Sequence, residues 1–436
     1  MNGRSSKGPH PTRRSLVRAA AALTATAGAG LGTPGVARTL VKHYHAGNAF
    51  ERDTSHTEPF WGAHQGGIIT PPQSHTYLAA LDLDTEKRDE VMRLLRAWTT
   101  AAARMTRGEP VPPTERDAAT VLPDSGETHG LPPARLTLTF GFGAGLFLKD
   151  GKDRYGLAAQ RPPALVDLPP FDGDQLIETR TGGDLSIQAC AEDPQVAFHA
   201  VRQLVRLAHG VAIVRWAQTG FLSIPDPDQT LRNLMGFKDG TTNPSIHDAE
   251  AMERFVWVGD EGPDWMHGGS YVVLRRIRIA LEHWDRMPLE FQEQSVGRHK
   301  NSGAPLGRDN EFDPPDLTAT GNDGDLLIPE SAHIRLAAAA SNEGAQILRR
   351  PYSYNDGVDF TIERWPPWRQ GVEYDAGLLF VCYQRDLRTG FIKIFDKLAK
   401  FDMLNQFVTH TGGGLFACPG GIAEGRFIGQ RLFEAG

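Results

Sequence analysis

The order of hydrophobic segments predicts an α+β protein: a duplicated ferredoxin-like fold of two antiparallel sheets with peripheral helices. Three observations point there. Strand-period and helix-period stretches follow one another as strand, helix, two strands, helix, strand through the first half. The second half repeats that style without repeating the sequence. Finally, 436 residues with 40% apolar and 23% charged content suit one large domain or two of roughly 150 to 200 residues.

Each element has its own signal. HTYLAALDL (75–83) is an apolar strand, and RDEVMRLLRAWTTAAARM (88–105) spaces Val91, Leu94, Leu95 and Trp98 along one helical face. A loop rich in Pro, Glu and Asp follows at 108–133, then RLTLTFGFG (135–143) alternates at the strand period. Residues 193–210 read as a helix opened by Asp193 and Pro194 and closed by Gly210, with a strand at 211–221. In the second half, GSYVVLRRIRIAL (269–281) is strand-like and merges into one helix from about Leu281. The Gly-, Asp- and Pro-rich stretch 300–329 reads as an irregular rim. LLFVCYQR (378–385) is a strand and LRTGFIKIFDKLAKF (387–401) a helix. The expected division is a leader over 1–40, one half over 50–225 and the other over 226–436.

Composition excludes some functions. The net charge is −7 and the basic residues are scattered, so no nucleic-acid surface is advertised. Cys190, Cys382 and Cys418 form no CxxC or Cys/His cluster and read as buried free thiols. The leader runs from RSSKGPHPTRRSLVR into AAAALTATAGAGLG, the basic and weakly apolar regions of an export signal too short to span a membrane. Arg13, Arg14, Ser15 and Leu16 resemble a twin-arginine signal, whose route carries folded proteins. Cleavage is expected near Ala37.

Two stretches carry chemistry. NLMGFKDGTTNP (233–244) crowds Gly236, Asp239, Gly240, Thr242, Asn243 and Pro244 into tight turns. Such a turn either aims the Asp239 carboxylate into a cleft or uses it as a cap. AHIRLAAAASNEGAQILRRPYSYNDG (332–357) sets His333 in an alternating apolar run with Arg335 out of phase, then pairs Arg349 with Arg350. One guanidinium turned inward toward an anion is one reading; a core histidine with two surface arginines is the other.

GFKDG matches the GxxDG motif of dye-decolourising peroxidases, and HIRLA, ILRR and YSYNDG resemble that family's haem-histidine and distal-arginine segments. EPFWGAHQGGIITPPQSHTYLAALDL, LTLTFGFGAGLF, DLSIQACAEDPQVAFHAVRQL, GRHKNSGAPLG and LLFVCYQRDLRTGFI agree, so the resemblance runs from about residue 58 to the C terminus. It looks closest to the exported bacterial branch that includes deferrochelatase-like proteins. The resemblance implies one haem b per chain between the two halves, most of its site carried by the half over 226–436, with His333 as proximal iron ligand and Asp239 and Arg349 as the catalytic distal pair. Gly240, Thr241, Thr242, Ala338, Ala339 and Ala340 would line the haem. The alanine trio departs from relatives that carry a proline and a charged residue there, so propionate anchoring falls to Arg335 and the basic stretch Arg298, His299, Lys300.

On this resemblance the enzyme reduces hydrogen peroxide and oxidises dyes, phenols or protein donors through a ferryl and porphyrin-radical state. Electrons would leave through Tyr352, Tyr354, Tyr374, Tyr383, Trp257, Trp265 or Trp365, or a small donor would bind at the propionate edge. Removal of iron from haem and non-catalytic haem binding are the alternatives. The export machinery is the expected partner, with no stable membrane insertion and homo-oligomerisation left open.

Overall fold

The computed structural model describes residues 54–113, 123–223, 229–362 and 370–434, all within one compact unit. The leader, with Arg13, Arg14 and Ala37, and Trp365 lie outside the described residues.

The first half runs β1 (His75–Leu83), α1 (Arg88–Met105), β2 (Thr137–Phe142), β3 (Leu185–Ala191), α2 (Pro194–Leu207) and β4 (Ala212–Phe221). Helix α1 buries Val91, Leu94, Leu95 and Trp98, the face its spacing predicts. Each such side chain removed from water contributes about 1.5–3 kcal/mol. Helix α2 begins where Asp193 accepts hydrogen bonds from the backbone N–H groups of Gln195 and Val196, with Pro194 in the first turn. The strands lie in the order β2–β3–β1–β4, all antiparallel.

The second half holds α3 (Ala249–Phe255), β5 (Ser270–Ile279), α4 (Leu281–Trp284), α5 (Leu289–Val296), α6 (His333–Ala337), β6 (Leu348–Arg349), β7 (Tyr352–Ile362), β8 (Gln370–Gln384), α7 (Phe391–Phe401) and β9 (Val408–Cys418). Its main strands follow the order β9–β5–β8–β7, the same arrangement as the first half. The two sheets meet edge to edge, β2 with β9 through Phe142 and Ala417, and β4 with β7 through Phe221 and Ser353. The expected pair of sheets is thus one closed ring. Residues from eight of its strands, among them Leu78, Trp216, Leu274, Val381 and Phe416, form one buried cluster that includes Cys190 and Cys418. All three cysteines are free and buried.

Three local expectations change. The single helix from Leu281 is two, because Pro288 stands in extended backbone ahead of α5. HIRLA is a turn of helix, not an alternating strand, so Arg335 projects by helical and not strand geometry. Strand β7 was hidden because its aromatic half, YSY, runs into the turn-like NDG. Among the described residues no helix is long and apolar enough to cross a membrane.

Candidate functional site

A cavity of about 840 Å³ opens against the second half, lined by residues between Asn233 and His410 only. The second half thus builds the cavity, while the first half completes the ring. Strands β5 and β8 supply an apolar floor of Ile277, Ile279, Leu378 and Phe380, and α6 and α7 supply the walls. The irregular stretch around Arg308 to Leu317 forms the rim, as its composition suggested.

His333 is the first residue of α6 and faces this cavity. Its Nδ1 lies 2.6 Å from Oδ2 of Asp402, which is buried at the end of α7. Asp402 is itself fixed, because its Oδ1 accepts from the backbone N–H of Leu404 at 2.9 Å. Burial pushes the imidazole pKa down, but the charge and hydrogen bond of Asp402 push it up and prevail, so it is raised. With Nδ1 donating to the carboxylate, Nε2 is the nitrogen left to the cavity.

Asp239 sits on a turn that two glycines make feasible: Gly236 and Gly240 adopt φ of +83° and +108°. Its N–H donates to the Leu231 carbonyl, and its Oδ1 receives Arg349 Nη1 at 2.6 Å. Arg349 is held in turn by Asn243, whose Oδ1 accepts from the Arg349 N–H at 3.1 Å while its Nδ2 donates to the Arg349 carbonyl at 2.6 Å. The charges of Arg349 and Asp239 both reach His333. One cavity thus brings together an acid–cation pair and a carboxylate-bound histidine from sequence positions far apart.

Gly240, Thr241, Thr242, Ala338, Ala339 and Ala340 all line the cavity. Arg298 reaches its wall, with Nη1 donating to the carbonyls of Gly303 and Glu311. Arg335 does not line it, because its guanidinium donates to the carbonyls of Ile328 and Pro329. His299 pairs with Glu293, and Lys300 donates to Gln292, so neither is an anchor within the cavity. Of the aromatic relay candidates, Tyr352, Tyr354, Tyr383, Trp257 and Trp265 are buried; Tyr374, at 51% exposure, is the one at the surface among the described residues.

Sequence reasoning missed Asp402, Arg308, Glu311 and His410, and passed over the clamp role of Asn243 inside a motif it had marked. Glu311 takes Thr241 Oγ1 and Lys238; burial raises its carboxyl pKa, but these hydrogen bonds hold it below the usual range. His410, on β9, also faces the cavity. Burial, with the Arg275 charge behind it, drives its pKa down to about 3, and its Nδ1 has no hydrogen-bond partner among the described residues.

These features suit a flat, largely apolar cofactor with a metal at its centre. The volume lies within the roughly 300–1,000 Å³ of cofactor-sized sites, and the floor is apolar. Among the described residues no group of three or more His, Cys, Asp or Glu is placed to hold a bare ion. A metal at His333 must therefore bring its other ligands with it, as haem does.

Comparison with known proteins gives one answer. The family described as "Dyp-type peroxidase, N-terminal" matches residues 65–222, and "Dyp-type peroxidase, C-terminal" matches 230–423. The chain is 40% identical over 388 residues to a dye-decolorizing peroxidase of Thermobifida fusca, covering 85% of this chain and 84% of that one. It is 35% identical over 434 residues to a deferrochelatase of Escherichia coli K12, covering 97% of each. Among solved structures it resembles ferric DtpA from Streptomyces lividans, with TM-score 0.78 and 42% identity over 87% of this chain and 98% of that one. A DyP-type peroxidase from Cellulomonas bogoriensis gives 0.77 and 40%, over 87% and 99%.

Proposed function

The chain belongs to the Dyp-type peroxidase family, and on that premise we propose how its cavity divides the work of a haem peroxidase. The protein is an enzyme with one haem b per chain that reduces hydrogen peroxide and oxidises organic donors. The observation that carries the residue assignment is that the Asp402-bound His333 and the Arg349-bound Asp239 face the same cavity.

His333 would hold the iron through Nε2, and Gly240 to Thr242 with Ala338 to Ala340 would flank the macrocycle. Arg298 and Arg308 supply the cations of the cavity wall and rim for its carboxylates. When bound, haem supplies the iron centre that accepts peroxide and stores two oxidising equivalents. Asp402 keeps His333 in the tautomer that leaves Nε2 its lone pair and makes the imidazole a stronger donor. Asp239 is the proton carrier: Arg349 occupies Oδ1, so Oδ2 takes the proton from one peroxide oxygen and returns it to the other, which leaves as water. Arg349 holds that carboxylate in place and sets a positive charge beside the oxygen that gains negative charge.

The test is the optical spectrum of the purified ferric protein, wild type and His333→Ala, before and after one equivalent of peroxide. Wild type is expected to show a Soret band that peroxide converts, and the variant to lose or strongly alter it. A haem spectrum that peroxide leaves untouched would withdraw the roles given to Asp239 and Arg349. Iron removal from haem is the second reading, favoured by the likeness to the deferrochelatase across 97% of both chains. Release of intact protoporphyrin by the purified protein distinguishes it.

Two further readings rest on sequence. The leader with Arg13 and Arg14 supports export of the folded, haem-loaded protein by the twin-arginine route, giving an extracytoplasmic or secreted enzyme. The halves are best divided near residue 225, in the stretch between β4 and the Asp239 turn.

A further inference from the structure

The chain from His333 to Arg349 lines the cavity through Ala337 to Ala340 and Ala345 to Ile347. A second, smaller cavity of about 450 Å³ adjoins it along that stretch. Ala345 and Gln346 line both cavities, so the wall between them is one chain thick there.

Three basic and three acidic residues line the second cavity, and all but one are held in ion pairs. Glu261 is taken by Arg385 through two contacts of 2.6 Å, Glu343 by Lys393 at 2.6 Å, and Asp386 by Arg388. That leaves Arg254, at the end of α3, whose guanidinium stands 5.0 Å from the Phe255 ring centroid. Among the described residues Arg254 has no carboxylate partner; Glu250, one turn back on the same helix, makes no ion pair with it. Gln346 likewise has no hydrogen-bond partner among the described residues. An exposed guanidinium without a carboxylate partner, next to an aromatic ring, and an unpaired amide in the same lining offer an anion-binding group beside an aromatic face.

We propose that this cavity is a docking site for the reducing substrate: a small aromatic one-electron donor bearing a carboxylate or sulfonate, its anion on Arg254 and its ring toward the Ala345–Gln346 wall. The proposal rests on the peroxidase reading. Two phenolic donors serve each peroxide. Each phenol loses one electron through the thin wall and one proton from its O–H bond, while the peroxide O–O bond breaks and both oxygens leave as water. In sum, H2O2 and two ArOH give two H2O and two ArO radicals. A donor of this size need not enter the haem cavity, and no long relay through buried tyrosines is required.

The experiment is calorimetric titration of the ferric holoenzyme, without peroxide, with 4-hydroxycinnamate as the anionic probe and 4-methylphenol as the neutral one. Wild type is expected to bind the anion more tightly. Arg254→Gln should weaken the anion roughly five-fold, the scale of one exposed charge contact, leave the phenol unchanged, and raise KM for 4-hydroxycinnamate with kcat held. Arg254→Lys should restore most of the affinity. Equal affinity for the anion in wild type and Arg254→Gln overturns the proposal, as does complete loss of anion binding in saturating cyanide, which would place the donor in the haem cavity. Failure of the peroxidase reading shows separately, as a Soret band indifferent to peroxide while the binding titration remains readable.

Discussion

Replacing Asp402 with Asn tests the support of His333 without changing the size of any side chain. Asp402 makes two contacts, Oδ1 to the Leu404 N–H at 2.9 Å and Oδ2 to His333 Nδ1 at 2.6 Å. An asparagine can satisfy one of them. If its oxygen keeps the Leu404 cap, its NH2 group points at Nδ1 and forces the proton onto Nε2, the nitrogen meant for iron. If it flips, it keeps the histidine tautomer and loses a cap worth about 1 kcal/mol. Either way the charge-assisted bond, about 1.5–3 kcal/mol, is gone, which matches the 10- to 100-fold loss typical of a partner that orients a metal ligand. The assay is haem transfer from ferric holoprotein to excess apomyoglobin, followed in the Soret region. Transfer should accelerate by about 10- to 100-fold with melting behaviour near wild type. A rate within a factor of two of wild type would refute the claim that Asp402 sets the ligand.

Three other perturbations read different parts of the molecule. Asp239→Asn and Arg349→Leu should each slow the reaction with peroxide by about 100- to 10,000-fold, measured by stopped-flow under single turnover, with haem content retained; full-rate turnover in both would remove the distal assignment. His410→Phe should make the haem-free protein less acid-sensitive. The buried imidazole titrates near 3 and the unfolded one near 6.5, so its stabilising effect is whole above pH 6.5 and is lost as pH falls toward 3. Between pH 7 and pH 5 that amounts to about 2 kcal/mol, and urea melts of wild type and variant should converge or diverge by this amount; parallel curves would count against it. Arg350→Ala should lower the melting temperature by about 5 °C, on a loss of about 3 kcal/mol, because its guanidinium is buried and donates to the Thr70 carbonyl and to Gln73. An unchanged melting temperature would show that those contacts are idle.

Much of this was legible in the sequence, for reasons that differ by residue. Strand β1 and helix α1 were read to their ends because long periodic runs report which face is buried. Asp239 announced itself through the glycines its turn needs, and Arg349 through the arginine pair in an apolar frame. Asp402 did not, since it meets His333 across 69 positions and sits in a stretch, KFDML, that reads as an ordinary helix end. His410 escaped because β9 is interrupted by three consecutive glycines, Gly412 to Gly414, which read as a turn. The anchoring expected of Arg335 failed for a geometric reason: a single helical turn points its side chain away from the face His333 presents. Closure of the sheets was out of reach altogether, because each seam is one residue pair wide and leaves no periodic trace.

The burial of the three cysteines bears on how such an enzyme survives its own substrate. Peroxide oxidises thiolates and spares thiols. Burial pushes Cys382 up to about 12 and Cys418 higher still, so both are held as thiols near neutral pH. With Cys190 sealed beside Cys418 in the same buried cluster, a protein whose work is to gather peroxide offers it no cysteine thiol at the surface. Its working life is then set by what happens to haem and to oxidisable aromatic rings, and not by the redox state of its cysteines.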